Sequence, residues 1–385
     1  MSESARRAHL ERLLSEDPEC ARRRAFSEAD RRTEGRPLVL HGCGQMGRRL
    51  AQALVADGRP PVAFADNDAG KQGTKVDGIE VLDPAVAAGR FGDEAAFVVS
   101  KWSPGDGYVD VQRQLLGLGV RTVVPLPVFM WRYPDRLLPH YLFALPDALL
   151  EFADEISGAY ELLDDEEPRE QYLGQLEWRL WLDYTALSTP RPLSTQYFEP
   201  GVIALGEHEV FVDCGAFDGD SLRSFLRESG RVFDRVHAFE PAPDTFLRLA
   251  AYVAELPAEV GHRISLEDAA VGDEECTLHF DGAGSTSGKL TDSGDIEVRC
   301  VRLDDAVGSA TYIKMDIEGA ETGAILGARR LLADPVTRLA VSLYHTPTDF
   351  FRLVNLVHSL KPDARLTCRG YDVDGLEFVL YATQG

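Results

Sequence analysis

The sequence has no excess of positive charge, no closely spaced cysteine pair and no long apolar run, and each absence removes a class of function. Its 385 residues include 63 acidic and 40 basic side chains, a formal net charge of −23. Binding through nucleic-acid phosphates needs a basic surface, and so does docking on an anionic membrane. A small-molecule partner is therefore expected, with neither nucleic acid nor membrane. No stretch approaches the roughly 18 apolar residues of a membrane span, and no apolar signal core is seen near the N-terminus. The 6 cysteines (Cys20, Cys43, Cys214, Cys276, Cys300 and Cys368) stand singly, without the spacing of common zinc or dithiol motifs. Reduced thiols and a cytoplasmic location are the expectation.

What remains is a globular composition, 44% apolar, on a chain long enough for two cores. Residues 1–36 mix arginine with acids, include Arg22-Arg23-Arg24, and read as a solvated helical arm. Residues 37–127 alternate short apolar strands (PLVL, PVAFAD, AAFVVS, RTVVPL) with helical stretches, the pattern of a small Rossmann-like parallel α/β domain. In 128–200 the strand signal gives way to helical periodicity, read as a connector. There Trp178 and Trp181 are expected on one buried helix face. From 201 to 385 the βα alternation resumes. HRISLEDAAVG reads as one strand, CTLHF and IEVRCVRL as an inserted hairpin around a polar loop, and ARLTCRG with LEFVLYAT as an antiparallel edge pair.

Two glycine turns follow buried strands. In VFVDCGAFDGDS, beginning at Val210, a strand runs into Asp213 and turns through Gly215 and Gly219 into a helix. Such a turn lets backbone approach a ligand at the carboxyl end of a strand, where doubly wound sheets bind. The next strand ends at Glu240, placed to accept ribose hydroxyls, and the third at Asp268-Ala269, beside an adenine edge. Three successive strand ends thus point to a nucleoside. In HGCGQMG the spacing of Gly42, Gly44 and Gly47, with Asp66 ending the following strand, has the context of a dinucleotide fingerprint. By itself it would indicate NAD and an oxidoreductase.

From Val210 to Leu380 the sequence resembles the FkbM family of S-adenosylmethionine-dependent methyltransferases. The resemblance rests on VFVDCGAFDGDS, HAFEP, AAVGD, RLDD and IKMDIEGAE, in matching order and spacing. It implies a class I, seven-stranded methyltransferase fold, here preceded by the smaller Rossmann-like α/β domain, with S-adenosylmethionine as donor and a hydroxyl oxygen as acceptor; a sugar, glycan or polyketide-type metabolite is the expected substrate. It also implies donor contacts at Asp213, Gly215, Ala216, Asp218, Gly219, Glu240, Asp268 and Ala269. The segment from Phe64, FADNDAGKQGTKVDGIEVLDP, is similar to the nucleotide-sugar-binding domain of PglD-type acetyltransferases. A nucleotide or nucleotide-sugar is thus the expected ligand at Gly42, Gly44, Gly47 and Asp66. A non-catalytic nucleotide sensor is a further alternative.

Transfer to an alcohol needs positioning and a way to remove its proton. Asp316 and Glu318, at and just past the fourth strand end, are catalytic candidates. Asp316 is open to three roles: holding the donor's amino group, orienting the acceptor, or binding Mg²⁺ together with Glu318. Glu321 reads as a helix-terminus residue. His345, after the fifth strand, is the candidate general base because an unperturbed imidazole titrates near neutrality. Thr346, Pro347 and Asp349 read as a helix start with a capping box. Similar family members often carry a second His near the last hairpin, where this chain has Arg369-Gly370-Tyr371.

Overall fold

The computed structural model describes residues 1–102, 105, 107–280, 290–291 and 296–384. The chain divides into two compact units. The first comprises Met1–Asp154, Glu170–Pro190 and Asp372–Leu376, the second Glu155–Arg169, Arg191–Tyr371 and Glu377–Gly385. The helical 128–200 stretch is thus shared between both units.

In the first unit, strands β1 (Leu38–His41), β2 (Ala63–Ala65), β3 (Lys75–Val76), β4 (Ile79–Leu82), β5 (Ala96–Val99) and β6 (Thr122–Pro125) form a sheet in the order β3-β4-β2-β1-β5-β6. Every pairing is parallel except β3 with β4, a hairpin that the sequence pattern did not signal. Residues 1–36 are not a solvated arm. They form helices Glu3–Leu14 and Pro18–Thr33, and the second buries Ala21, Ala25 and Ala29 at helical spacing. The two tryptophans part company as well. Trp178 is fully buried, whereas Trp181, the last residue of its helix, is 40% exposed and lies under the Arg24 guanidinium at 3.8 Å.

The second unit contains β7 (Val210–Cys214), β8 (Arg235–Phe239), β9 (Ile264–Glu267), β10 (Ala269–Val271), β11 (Cys276–Phe280), β12 (Leu290–Thr291), β13 (Ile296–Val301), β14 (Tyr312–Met315), β15 (Arg338–Ser342), β16 (Ala364–Gly370) and β17 (Phe378–Gln384). Seven of them form one sheet, β16-β17-β15-β14-β7-β8-β9. The pairings from β15 across to β9 are parallel, and β17 is antiparallel to both β15 and β16. This is the α/β sheet expected, with the final hairpin at its edge. Phe211 on β7 stacks on Phe225 with ring centroids 4.6 Å apart, and both are fully buried.

HRISLEDAAVG is two strands. Asp268 breaks it, leaving β9 in the large sheet and sending β10 into a four-stranded sheet, β10-β13-β11-β12. β11 and β13 pair antiparallel, as a hairpin would. The polar loop between them lies outside the described residues, except for Leu290 and Thr291. AETGAILGARRLL is likewise divided, into Glu321–Leu326 and Arg329–Ala333. At Gly327 between them, a Cβ would come 1.9 Å from the Gly272 carbonyl.

Candidate active site

β7 lies between β8 and β14, so the chain leaves it in opposite directions and a crevice opens at the carboxyl ends of these strands. The glycine turn forms its floor. Gly215 has φ +77° and passes so close to the β14 end that a Cβ would meet the Asp316 carbonyl oxygen at 2.0 Å. Gly219, at φ +93°, starts the helix Asp220–Glu228 without a side-chain cap. Ala216 is buried, its N–H bonded to Phe239 O at 3.0 Å. Asp218 pairs with Arg223 at 2.9 Å.

Asp213 faces inward. Its carboxylate is fully buried, accepts from Ser221 Oγ at 2.5 Å and pairs with Lys314 Nζ at 3.2 Å. Lys314, from β14, also donates to the Gly215 carbonyl at 2.7 Å. Burial works against its charge, but Asp213, followed by Asp316, outweighs burial and raises its pKa. Asp213 therefore supports the turn from beneath rather than reaching into the crevice. The sequence reading passed over Lys314, although a lysine inside an apolar strand was the signal.

Glu240 lies at the crevice with its capacity largely taken. Oε1 accepts from Ala242 N–H at 2.9 Å and Thr245 Oγ at 2.7 Å, and Oε2 from Phe217 N–H at 2.9 Å. A carboxylate has about four lone-pair sites, so one remains, on Oε2. That leaves room for one ribose hydroxyl, where the sequence reading placed two. Asp268 is exposed beside the buried Ala269.

The neighbouring strand ends carry a closed polar ring. Tyr197 O–H donates to Asp316 Oδ2 at 2.8 Å, and Gln196 Nε2 donates to Tyr197 Oη at 3.1 Å and to Glu377 Oε2 at 2.5 Å. Tyr344 O–H reaches Glu377 Oε1 at 3.1 Å and Asp316 Oδ1 at 3.4 Å, closing the circuit. One phenolic proton thus faces two carboxylates. Burial first, then the charge of Asp316, pushes the Glu377 pKa up to about 7. Asp316 goes the other way. Burial raises it, but Lys314 and then His345 hold it below the usual carboxylate range. Tyr197, Glu318 and Glu377 all have left-handed backbone, at φ +65°, +56° and +50°.

His345 and Asp316 face one another as the strand order implies, with Nε2 3.2 Å from Oδ1. The other ring nitrogen, Nδ1, lies 2.7 Å from Glu321 Oε1, and Glu321 is as buried as the histidine. Glu321 is therefore more than a helix-terminus charge. Burial disfavours the imidazolium, yet Glu321 and then Asp316 prevail and raise the His345 pKa to about 10. The ring is cationic at neutral pH, which corrects the expectation of a neutral base. Asp349 binds the N–H of Thr346 at 2.6 Å, as a capping box would, but the regular helix begins at Asp349 itself with Thr348 as N-cap.

Asp316, Glu321 and His345 bring ligand atoms within 4.8 Å of one another. Both carboxylates are already engaged, Glu321 with His345 Nδ1 at 2.7 Å and Asp316 with the Tyr197 hydroxyl at 2.8 Å, so an ion there would have to displace these contacts. Glu318, the other residue expected to hold Mg²⁺, is exposed.

At the last hairpin, Tyr371 is tied into the core through Glu199 at 2.9 Å and Tyr381 at 2.6 Å. The hairpin's contribution to the site is Glu377. That residue, Tyr344 and Gln196-Tyr197 were missed by the sequence reading. The last two lie in the stretch read as connector, where no local motif marks them.

In the first unit Gly42 has φ +109°, and a Cβ on Gly47 would meet the Gly42 carbonyl oxygen at 2.0 Å. Asp66 accepts from Cys43 N–H and from Asp68 N–H, each at 2.9 Å, and lies 3.5 Å from Lys71 Nζ. Gly44 N-caps helix Gln45–Ala56 with no side-chain hydrogen bond.

The second unit's sheet, with its crevice at the β7 switch point, is that of a methyltransferase. Residues 213–364 match the family profile described as "Methyltransferase FkbM domain", so the second unit carries a methyltransferase domain. A crystal structure of methyltransferase FkbM from Methylobacillus flagellatus KT superposes with TM-score 0.74 at 21% identity, covering 98% of each chain. UDP-D-quinovosamine 4-dehydrogenase from Vibrio fischeri is similar at 22% identity over 23% of this chain and 76% of that one, with TM-score 0.20. A SAM-dependent O-methyltransferase from Thermotoga maritima is similar at 12% identity over 55% and 71%, with TM-score 0.30. No curated protein matches the chain.

Proposed function

We propose that this methyltransferase uses S-adenosylmethionine and methylates a hydroxyl oxygen of a small metabolite of the sugar, glycan or polyketide class. The observation that carries the reading is the juxtaposition of an open glycine turn, held by Glu240, with the Asp316–Tyr197–Gln196–Glu377–Tyr344 ring on adjacent strand ends. Gly215 to Gly219 would hold the donor, Glu240 one ribose hydroxyl, and Asp268 with Ala269 the adenine edge. The donor, when bound, supplies a methyl group activated on a sulfonium.

The chain's own residues position the acceptor and take its proton. Asp316, kept anionic by Lys314 and His345, orients the hydroxyl. Glu377, with its pKa near 7, accepts the proton, as a general base tuned to working pH does. His345 positions Asp316. No step is assigned to Mg²⁺, since Glu321 and Asp316 are already engaged by His345 and Tyr197. In the first unit, Gly42, Gly44, Gly47 and Asp66 are assigned to a nucleotide or nucleotide-sugar, supported by the uncapped helix at Gly44.

The test begins with calorimetric titration of S-adenosylmethionine, then a screen of hydroxylated metabolites for methyl acceptance. With an acceptor in hand, Glu377→Gln should lower kcat by roughly 10²–10⁴-fold and remove the limb near pH 7, with donor affinity unchanged. Full turnover in that variant removes Glu377 from the mechanism, whereas absence of donor binding in the wild type refutes the whole reading.

A further inference from the structure

Four guanidinium groups border one groove of the first unit. Arg22 and Arg23 come from helix Pro18–Thr33, Arg132 ends helix Pro127–Arg132, and Arg136 lies in the short turn of helix beyond it. The groove encloses about 620 Å³, the size of a small-molecule site, and shares no lining residue with either glycine turn.

What distinguishes these arginines is how little holds them. Elsewhere on the same helix the guanidiniums are held at close range by an acid: Arg24 grips Glu16 with two bonds of 2.9 and 2.7 Å, and Arg31 and Arg32 bind Glu28 at 2.5–2.8 Å. Facing the groove, the acid paired with Arg22, Asp147, is 3.8 Å away, and Asp30 is 4.0 Å from Arg132. The Arg136 side chain makes no hydrogen bond or ion pair among the described residues. Arg23 alone is tightly bound, to Glu19 at 2.7 Å. The Arg132 guanidinium lies over the Phe26 ring at 4.3 Å, which orients it, and its buried Nε has no hydrogen-bond partner.

The lining sets four guanidiniums against the carboxylates of Glu19 and Asp135, and this excess of positive charge, in a chain of net charge −23, forms a local well for an anion. A single carboxylate offers two oxygens and one charge. A diphosphate offers several bidentate acceptor edges and about three charges, which suits guanidinium forks presented from three helices. We infer that the groove binds a compact diphosphate group, free or as part of a nucleoside diphosphate.

The test is calorimetric titration of the full-length protein with inorganic pyrophosphate and with ADP, at low and moderate salt. Both should bind, more weakly as salt rises, and Arg136→Gln and Arg132→Gln should each reduce affinity at least about tenfold, the size of one lost charge-assisted hydrogen bond. Arg136 is exposed and makes no side-chain bond, so its variant leaves the fold unaffected. ADP binding more tightly than pyrophosphate assigns the groove to a nucleoside diphosphate, and equal affinity assigns it to the phosphates alone. Either supports the inference. No binding at millimolar ligand overturns it. So does binding indifferent to both arginine variants, or binding abolished by Gly44→Trp or Glu240→Ala, which would place the anion at a glycine turn instead.

Discussion

In each unit a central parallel strand ends in a glycine turn, and the acid ending the next strand holds a backbone N–H of that turn: Asp66 takes Cys43, and Glu240 takes Phe217, both at 2.9 Å. The units diverge two residues before the first glycine. In the first, Leu40 on β1 pairs in register with Val98 on β5, and both are fully buried. In the second, the corresponding residues are Asp213 and Lys314, a buried ion pair. An apolar pair seals the core at no electrostatic penalty, whereas two buried charges must repay desolvation. The second unit keeps them because Lys314 also reaches the Gly215 carbonyl and places a cation beneath Asp316. A glycine turn provides the ledge for a ligand, and the adjacent strand end determines whether chemistry can follow.

The sharpest way to break this comparison is to make the second unit like the first. Lys314→Met leaves Asp213 buried without its cation and should destabilise the second unit by about 3–5 kcal/mol, read from chemical denaturation. Adding Asp213→Leu should recover most of that loss while leaving the glycine turn without its lysine bond. If Lys314→Met alone is neutral, the ion pair is not what distinguishes the units. A smaller effect separates the two acids. Glu240→Ala should weaken S-adenosylmethionine binding by about 1.5–3 kcal/mol, as for hydrogen bonds to a charged group. Asp66→Ala should leave that affinity unchanged, and the reverse result in calorimetry would move the donor to the first unit. Smaller still is the effect of a chelator. EDTA should leave turnover unchanged, because Glu321 and Asp316 are already engaged by His345 and Tyr197.

Much of the second unit was legible in its sequence, because strand ends, glycines and IKMDIEGAE are local signals. Gly215 and Gly219 have the left-handed torsions that the spacing required, and the final two strands form the edge hairpin. The polar ring was not legible. Gln196 and Glu377 are 181 residues apart yet hydrogen-bonded, and only folding brings them together. Direction was hidden too. Asp213 and Glu240 were both read as facing the ligand, but the structure turns the first into the core and gives most of the second's lone pairs to backbone and Thr245. The His345 charge state depended on Glu321, whose place near a helix start suggested a duller role.

The last prediction concerns two buried histidines of opposite character. His41 ends β1, and burial lowers its pKa to about 4 against a weaker pull from Asp66. The folded first unit therefore holds this ring neutral. Below about pH 6.5 the unfolded chain takes up a proton that the fold refuses, so this contribution is present above pH 6.5 and is lost as pH falls towards 4. His345 behaves in reverse. With a folded pKa of about 10, its contribution is complete below about pH 6.5 and disappears as pH rises through 10. Glu377 and Asp349, raised by burial to about 7 and about 6, also favour the second unit at lower pH. In the first unit Asp374, raised to about 6, partly offsets His41, so the comparison must be made through variants. Hydrogen exchange read by mass spectrometry at pH 5, 7 and 9.5 follows each unit separately. His41→Phe should flatten the acid-side loss in the first unit alone, and His345→Gln the alkaline loss in the second alone. If His345→Gln leaves the alkaline loss intact, the imidazolium bracketed by Glu321 and Asp316 is not its source, and the base assigned to Glu377 loses its cationic neighbour.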